Sequence, residues 1–139
     1  CTLCFGTSHG EHIPQCFQFT SITAVILLPL QQLCSIILFV LLLLNQANKI
    51  IHEEVLSEGG ITGTIADPRM IFKLVISHAA TGFIICHNHP SGQLKPSRMD
   101  DTLTEKIKKG AALFDIKLID HLIVSSEGYY SYAEQHPNW

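Results

Sequence analysis

The run Thr81-Gly82-Phe83-Ile84-Ile85-Cys86 constrains this chain's fold more than any other, because it leads without a break into His87-Asn88-His89-Pro90-Ser91-Gly92. A short apolar segment with a glycine near its start and a Pro-Ser-Gly break after it reads as a buried strand. Side chains alternate along a strand, so a strand running to His89 sets His87 and His89 on one face, with their Cβ atoms roughly 6.5 to 7 Å apart. Two imidazoles at that separation can bracket one ion at Zn–N distances of about 2.0–2.1 Å. Pro90 and Gly92 force a turn, Gln93-Leu94-Lys95-Pro96 forms a loop, and Ser97-Arg98-Met99-Asp100 opens a helix. A carboxylate therefore returns from a helix start toward a strand end.

A plainer reading stands beside this one. Serine followed three residues later by an acid is close to a capping box, and Asp100 and Asp101 both suit the positive end of a helix dipole. Capping alone accounts for Ser97 and Asp100, and a hydrogen-bonded pair at a strand end accounts for His87 and His89. The conjunction of two histidines at strand spacing, a turn and a returning carboxylate favours the metal reading.

His87-x-His89, the seven residues Pro90 to Pro96, Ser97, two residues and Asp100 match the JAMM (MPN+) metalloprotease motif completely. His-Asn-His-Pro-Ser-Gly, Pro96-Ser97, Ile119-Asp120-His121-Leu122-Ile123-Val124 and Gly128-Tyr129-Tyr130-Ser131-Tyr132 resemble the RadC subfamily of bacterial JAB domains. The resemblance runs from about Val40 to about Glu134. It implies that His87, His89 and Asp100 bind Zn2+, that Ser97 assists an oxyanion, and that an upstream glutamate acts as general base. Three protein ligands and a water make the open coordination of a catalytic zinc, which lowers the water's pKa to about 7 and polarises a carbonyl.

Two neighbouring acids, Glu53 and Glu54, lie on an expected strand and point to opposite faces. The resemblance aligns the base with Glu54, and His52 shares its parity. Without the resemblance, an exposed strand acid is the better reading of either. Asp120-His121 is a second polar pair, inside an apolar stretch, and one of the two must face inward. Asp120 could orient a metal-site histidine or make a buried structural hydrogen bond.

The expected strands are Ile36–Leu44, Lys49–Leu56, Gly82–His87, Lys117–Val124 and Tyr129–Ala133. One helix runs from Asp67-Pro68 to about His78, with Asp67 as N-cap and Pro68 at the first position, and a second from Ser97 to about Phe114. The order β-β-α-β-α-β-β gives an α/β fold, a mixed curved sheet flanked by helices, similar to the JAMM fold and in outline to the cytidine deaminases. The deaminases' H-x-E with P-C-x-x-C is absent, as is the helical H-E-x-x-H signature. The string His-Asn-His does not match the HNH nucleases, whose residues are spread over a ββα unit.

The chain divides into an atypical segment, residues 1–36, and a RadC-like JAB domain, residues 37–139. Residues 1–48 hold one charged side chain, Glu11, and four of the five cysteines. Ile22 to Leu44 has about the length of a membrane span, but Pro29 and the Gln31-Gln32 pair interrupt it and no positive flank precedes it. Ile36–Leu44 reads instead as a central strand, and the lack of a basic n-region argues against a signal peptide. Cys1, Cys4, His9, His12 and Cys16 fit no standard finger spacing. The chain does not begin with Met and reads as a fragment or an aberrant start.

With 47% hydrophobic and 15% charged residues, 139 residues suffice for one domain with a substantial core. A net charge of −3 leaves no electrostatic footprint for nucleic acid, and Lys106, Lys108 and Lys109 are interleaved with Asp101, Glu105 and Asp115. The resemblance thus implies a cytoplasmic zinc metallopeptidase or isopeptidase, with a peptide or protein substrate and no membrane partner. Its alternative is a non-catalytic metal-containing module acting with DNA repair or mobile-element proteins, a link to nucleic acid that rests on the family's name alone.

Overall fold

A computed structural model of the chain describes residues 37–58, 66–137 and 139. The segment 1–36, with its cysteines and histidines and most of the apolar stretch from Ile22, lies outside the described residues. In chain order the elements are β1 (Leu38–Leu44), β2 (Ile50–Glu58), α1 (Pro68–Ser77), β3 (Gly82–Asn88), α2 (Arg98–Ala112), β4 (Lys117–Ser125), β5 (Gly128–Ser131) and a short α3 (Tyr132–Gln135). Five strands form one mixed sheet in the order β2-β1-β3-β4-β5. The pairing of β3 with β4 is parallel and the other three are antiparallel.

Local chemistry explains the elements. β1, Leu-Phe-Val-Leu-Leu-Leu-Leu, is buried at every position, as a central strand covered on both faces requires. Asp67 caps α1 by accepting from the Arg69 N–H at 2.9 Å, and Pro68 occupies the first turn, where its missing N–H costs nothing. Ser97 and Asp100 form a complete capping box at the start of α2. Both helices therefore begin where the sequence places them. The parallel β3–β4 pair is joined through α2, the crossover that parallel strands demand.

One expectation is corrected at the C-terminal end. The strand read as Tyr129–Ala133 stops at Ser131, and Tyr132 to Gln135 form a helical turn instead. Ser131 Oγ accepts from the Glu134 N–H at 3.1 Å, so the hydroxyl caps a turn rather than leaving the backbone to continue the ladder.

Phe39, Leu41 and Leu43 of β1 share a face with Phe83 and Ile85 of β3, and on it α1 buries Ile71 and Val75 while α2 buries Ile107 and Ala111. Each fully buried Ile, Leu or Phe contributes about 1.5–3 kcal/mol. On the opposite face Leu38, Val40, Leu42, Leu44, Ile84, Cys86 and Val124 form a second buried cluster. Burial pushes the Cys86 thiol up to about 12, so it stays protonated and behaves as a small apolar side chain.

The two helices meet closely at Gly110. A Cβ there would lie 2.6 Å from Phe72 Cζ and 2.8 Å from its Cε2, and the Phe72 ring is itself set edge-on to Phe83 at 6.4 Å. In an open helix Gly→Ala gains about 1 kcal/mol. Here Gly110→Ala is expected to lose stability, because overpacking a filled interface costs about 1–3 kcal/mol. A lower denaturant midpoint is the expected measurement, and a raised one would mean that the Phe72 ring yields freely.

Candidate metal centre

The end of β3 and the first turn of α2 bring three side chains together. His87 and Asn88 are the last residues of β3, and His89 follows directly, its backbone N–H donating to the Val124 carbonyl at 2.9 Å. That bond continues the ladder by one residue, which keeps both imidazoles on the same side. His87 Nε2 and His89 Nε2 lie 3.0 Å apart. The Asp100 carboxylate closes the group, with Oδ1 3.2 Å from His87 Nε2 and Oδ2 3.5 Å from His89 Nε2. One donor atom from each of His87, His89 and Asp100 lies within 4.8 Å of the others.

The chemistry of this donor set fits a metal ion. The His89 Nδ1 lies 2.8 Å from the Gln93 carbonyl, which can only accept, so Nδ1 carries a proton and Nε2 is the nitrogen turned to the cluster. There it meets a second imidazole nitrogen and a carboxylate at close range. A proton or a metal cation shared at that point satisfies all three groups. Asp100 raises the pKa of His89, against the opposing effect of partial burial. Burial works to raise the Asp100 carboxyl, but the bonds from the side chains of His87, His89 and Ser97 outweigh it and hold the group well below the usual carboxylate range.

Asp100 thus serves the helix and the cluster at once. Its Oδ2 accepts from the Ser97 N–H at 2.7 Å, and its own N–H donates to Ser97 Oγ at 3.2 Å. Ser97 is engaged as a cap, and its side chain also bonds to the Asp100 carboxylate. The capping reading of this pair holds, and Asp100 also faces the two imidazoles. Ser97 also lines a cavity of about 540 Å³ beside the cluster, whose walls include Ile37, Phe39, Met99 and Leu103, with Arg98 and Lys106 supplying positive charge.

Glu54 stands apart from the group. In β2 it pairs with Leu41, which pairs with Ile85, so it shares the cluster's face of the sheet, as its parity predicts, while Glu53 pairs with Leu42 and faces the other way. It lies two strands from β3 and two positions along from His87. Strand spacing and rise put the two Cα atoms roughly 12 Å apart. Its carboxylate is exposed and lies 3.3 Å from His52 Nε2, and the His52 ring stacks on His78 at 4.1 Å.

The residue that sequence reasoning left out is His121. It is fully buried on β4, and its Nε2 lies 2.9 Å from His87 Nδ1. On its other side Nδ1 lies 2.6 Å from Thr104 Oγ of α2, and Tyr132 stacks on the ring at 4.9 Å and 6°. Burial pushes the His121 imidazole down to about 3, so the ring is neutral. Asp120, the alternative orienter, turns away. It accepts from Ser131 Oγ at 2.6 Å and from the N–H groups of His121 and Ala133, tying β4 to the β5–α3 corner. The signal in the sequence was a histidine amid apolar residues on a strand, but its partner depends on the non-local pairing of β3 with β4.

Fold and site together define an α/β domain with a His-His-Asp group able to hold a metal at the end of a central strand. The chain belongs to the RadC-like JAB domain family, whose model matches residues 21–137. The match begins upstream of residue 37, within the stretch set apart from the sequence. Among curated proteins it is 50% identical over 97 residues to a UPF0758 protein of Flavobacterium johnsoniae. It is 48% identical over 96 residues to one of Streptococcus gordonii and 47% over 95 to one of Porphyromonas gingivalis. These alignments cover 68–70% of the chain and 42% of each relative, so the chain spans less than half the length of the proteins it matches. Among the described residues no helix is long and apolar enough to cross a membrane.

Proposed function

We propose that this domain is a zinc-dependent metallohydrolase that cleaves a peptide or isopeptide bond, with His87, His89 and Asp100 holding the ion. The convergence of two imidazole nitrogens and a carboxylate beside an apolar cavity carries this reading. Zinc bound there would lower the pKa of its water to about 7 and polarise the scissile carbonyl. The chain's own residues supply the rest. Ser97 Oγ, beside the cluster at the start of α2, donates its hydrogen to the oxyanion that develops on the carbonyl, for which it must leave the Asp100 carboxylate. Glu54 takes a proton from the attacking water and passes it to the leaving amine, for which its carboxylate must exchange His52 for that water. Ile37, Phe39, Met99 and Leu103 offer an apolar wall for a substrate side chain. A cytoplasmic setting belongs to the same proposal, since a buried unpaired thiol such as Cys86 is at home in a reducing compartment.

A second reading, a metal-containing binding module without catalysis that acts with DNA repair or mobile-element proteins, is favoured by one observation: Glu54 is engaged with His52 rather than with the cluster. The two separate in one experiment. Stoichiometric zinc is expected in the wild type and in Glu54→Gln, and not in His87→Ala. Glu54→Gln is expected to lower peptidase turnover by about 10²–10⁴-fold, the usual contribution of a general base. A wild type that never takes up metal refutes the enzyme. A zinc-loaded wild type that cleaves nothing in a broad peptide library decides for the binding module.

A further inference from the structure

We propose that His121 and Thr104 act as positioning residues that fix the tautomer of His87, holding its proton on Nδ1 so that Nε2 reaches the centre as a lone pair. The inference deepens the metal-centre reading and rests on it for its significance. The direction of the chain follows from counting hydrogens. Thr104 Oγ makes two short contacts, to the Asp100 carbonyl at 2.6 Å and to His121 Nδ1 at 2.6 Å, and it owns one hydrogen. Two oxygens at that distance require a hydrogen between them, and a carbonyl has none to give. The hydroxyl hydrogen therefore goes to Asp100, and the contact with His121 must be served by a hydrogen on Nδ1.

The rest of the relay then has one solution. His121 is fully buried, and its ring nitrogens meet only a hydroxyl and an imidazole. A ring without a carboxylate partner in such surroundings is neutral. With its proton on Nδ1, His121 Nε2 can only accept, and the group 2.9 Å away, His87 Nδ1, must donate. His87 Nε2 is left outside the relay, facing Asp100 and His89, where it would offer its lone pair to an ion. His89 carries a proton on Nδ1 through the Gln93 carbonyl, so two unrelated devices turn both Nε2 atoms to the centre. Thr104 also ties the relay to the element that bears the carboxylate, because its acceptor is the backbone of Asp100 itself. Tyr132, stacked on His121 and donating its hydroxyl to Asp101 at 2.8 Å, holds the intermediate ring in place.

The test has a readout that does not involve turnover. Long-range 1H–15N correlation spectra of the metal-free, 15N-histidine-labelled full chain should show His87 carrying a proton on Nδ1. His121→Leu, which removes the acceptor, is expected to weaken zinc affinity by roughly 10–100-fold, the range for partners that orient a metal's ligands. His121→Gln, whose side-chain oxygen can accept where Nε2 does, should recover most of it. Thr104→Val, nearly isosteric, should let the His121 proton move between its nitrogens and weaken zinc binding in the same sense, which covers the case of an unfolded His121→Leu. A His87 whose Nδ1 carries no proton in the wild type, or wild-type zinc affinity in both His121→Leu and Thr104→Val, overturns the proposal. A wild type that takes up no zinc yet carries the His87 proton on Nδ1 supports this inference and refutes the metal-centre reading.

Discussion

Asp100→Asn is expected to weaken zinc binding by more than about 100-fold, beyond what the loss of an orienting partner costs, while the zinc-free protein keeps the first turn of α2. The two halves of this expectation come from the double employment of Asp100. Its Oδ2 accepts from the Ser97 N–H at 2.7 Å, a bond that the Asn carbonyl oxygen can keep, so α2 retains its first turn. What Asn lacks is the charge that faces His87 and His89 at 3.2 and 3.5 Å. Those groups are largely buried, so losing the charge also costs the zinc-free protein about 1.5–3 kcal/mol. Asp100→Ala removes the cap too and should cost a further 0.5–2 kcal/mol or so. Zinc at 100 times its dissociation constant stabilises a folded protein by about 2.7 kcal/mol. Denaturation with and without zinc is therefore the measurement: the wild-type midpoint should rise, and that of Asp100→Asn should not. Wild-type affinity in Asp100→Asn would remove Asp100 from the ligand set.

Phe83→Ala should be the most damaging single truncation of the core, at about 3–5 kcal/mol. Phe83 is fully buried on β3, and its ring meets the edge of Phe72, the side chain through which α1 reaches toward Gly110 of α2. Removing it opens a cavity at the junction of the sheet with both helices, where no neighbour can collapse without moving a helix. Domains of this size have about 5–15 kcal/mol in all, so the variant should sit near the edge of folding. Phe83→Leu, which keeps most of the volume, should retain most of the stability. Urea denaturation of the two variants reads the difference directly, and a loss below about 1 kcal/mol for Phe83→Ala would place the junction's packing elsewhere.

The local parts of this architecture were legible because they are written in local chemistry. Asp67-Pro68 and Ser97-x-x-Asp100 mark helix starts by what their own backbones need, and the structure places both helices there. The apolar runs at Leu38 and Gly82 announce strands buried on both faces. The histidine pair and the returning carboxylate follow from strand parity and one turn. Features that depend on distant pairing were not legible. Which of Asp120 and His121 meets the centre is decided by the parallel register of β3 with β4, which no local pattern encodes. Tyr132 and Ala133 looked like strand residues because the Ser131 cap that starts the helix acts only once the turn at Tyr132 has formed. The pairing of Glu54 with His52 is a competition between near neighbours on an exposed strand, and parity alone says only that both share a face.

The strand that carries the histidines is hydrogen-bonded on both sides, to β1 and to β4, and every residue in it is buried. Amides in such a strand exchange with solvent only when the whole domain opens, whereas helix ends fray at little cost. His87 is therefore tied to the slowest motion of the molecule, and His89, one residue beyond the strand, is held beside it by the bond from its N–H to the Val124 carbonyl. Asp100 belongs to the first turn of α2, one of its faster ones. An ion held by all three would come and go through Asp100 first, with the histidine pair as a fixed seat and the carboxylate as the latch. Its residence time would then be set by the breathing of a single helical turn rather than by the stability of the fold.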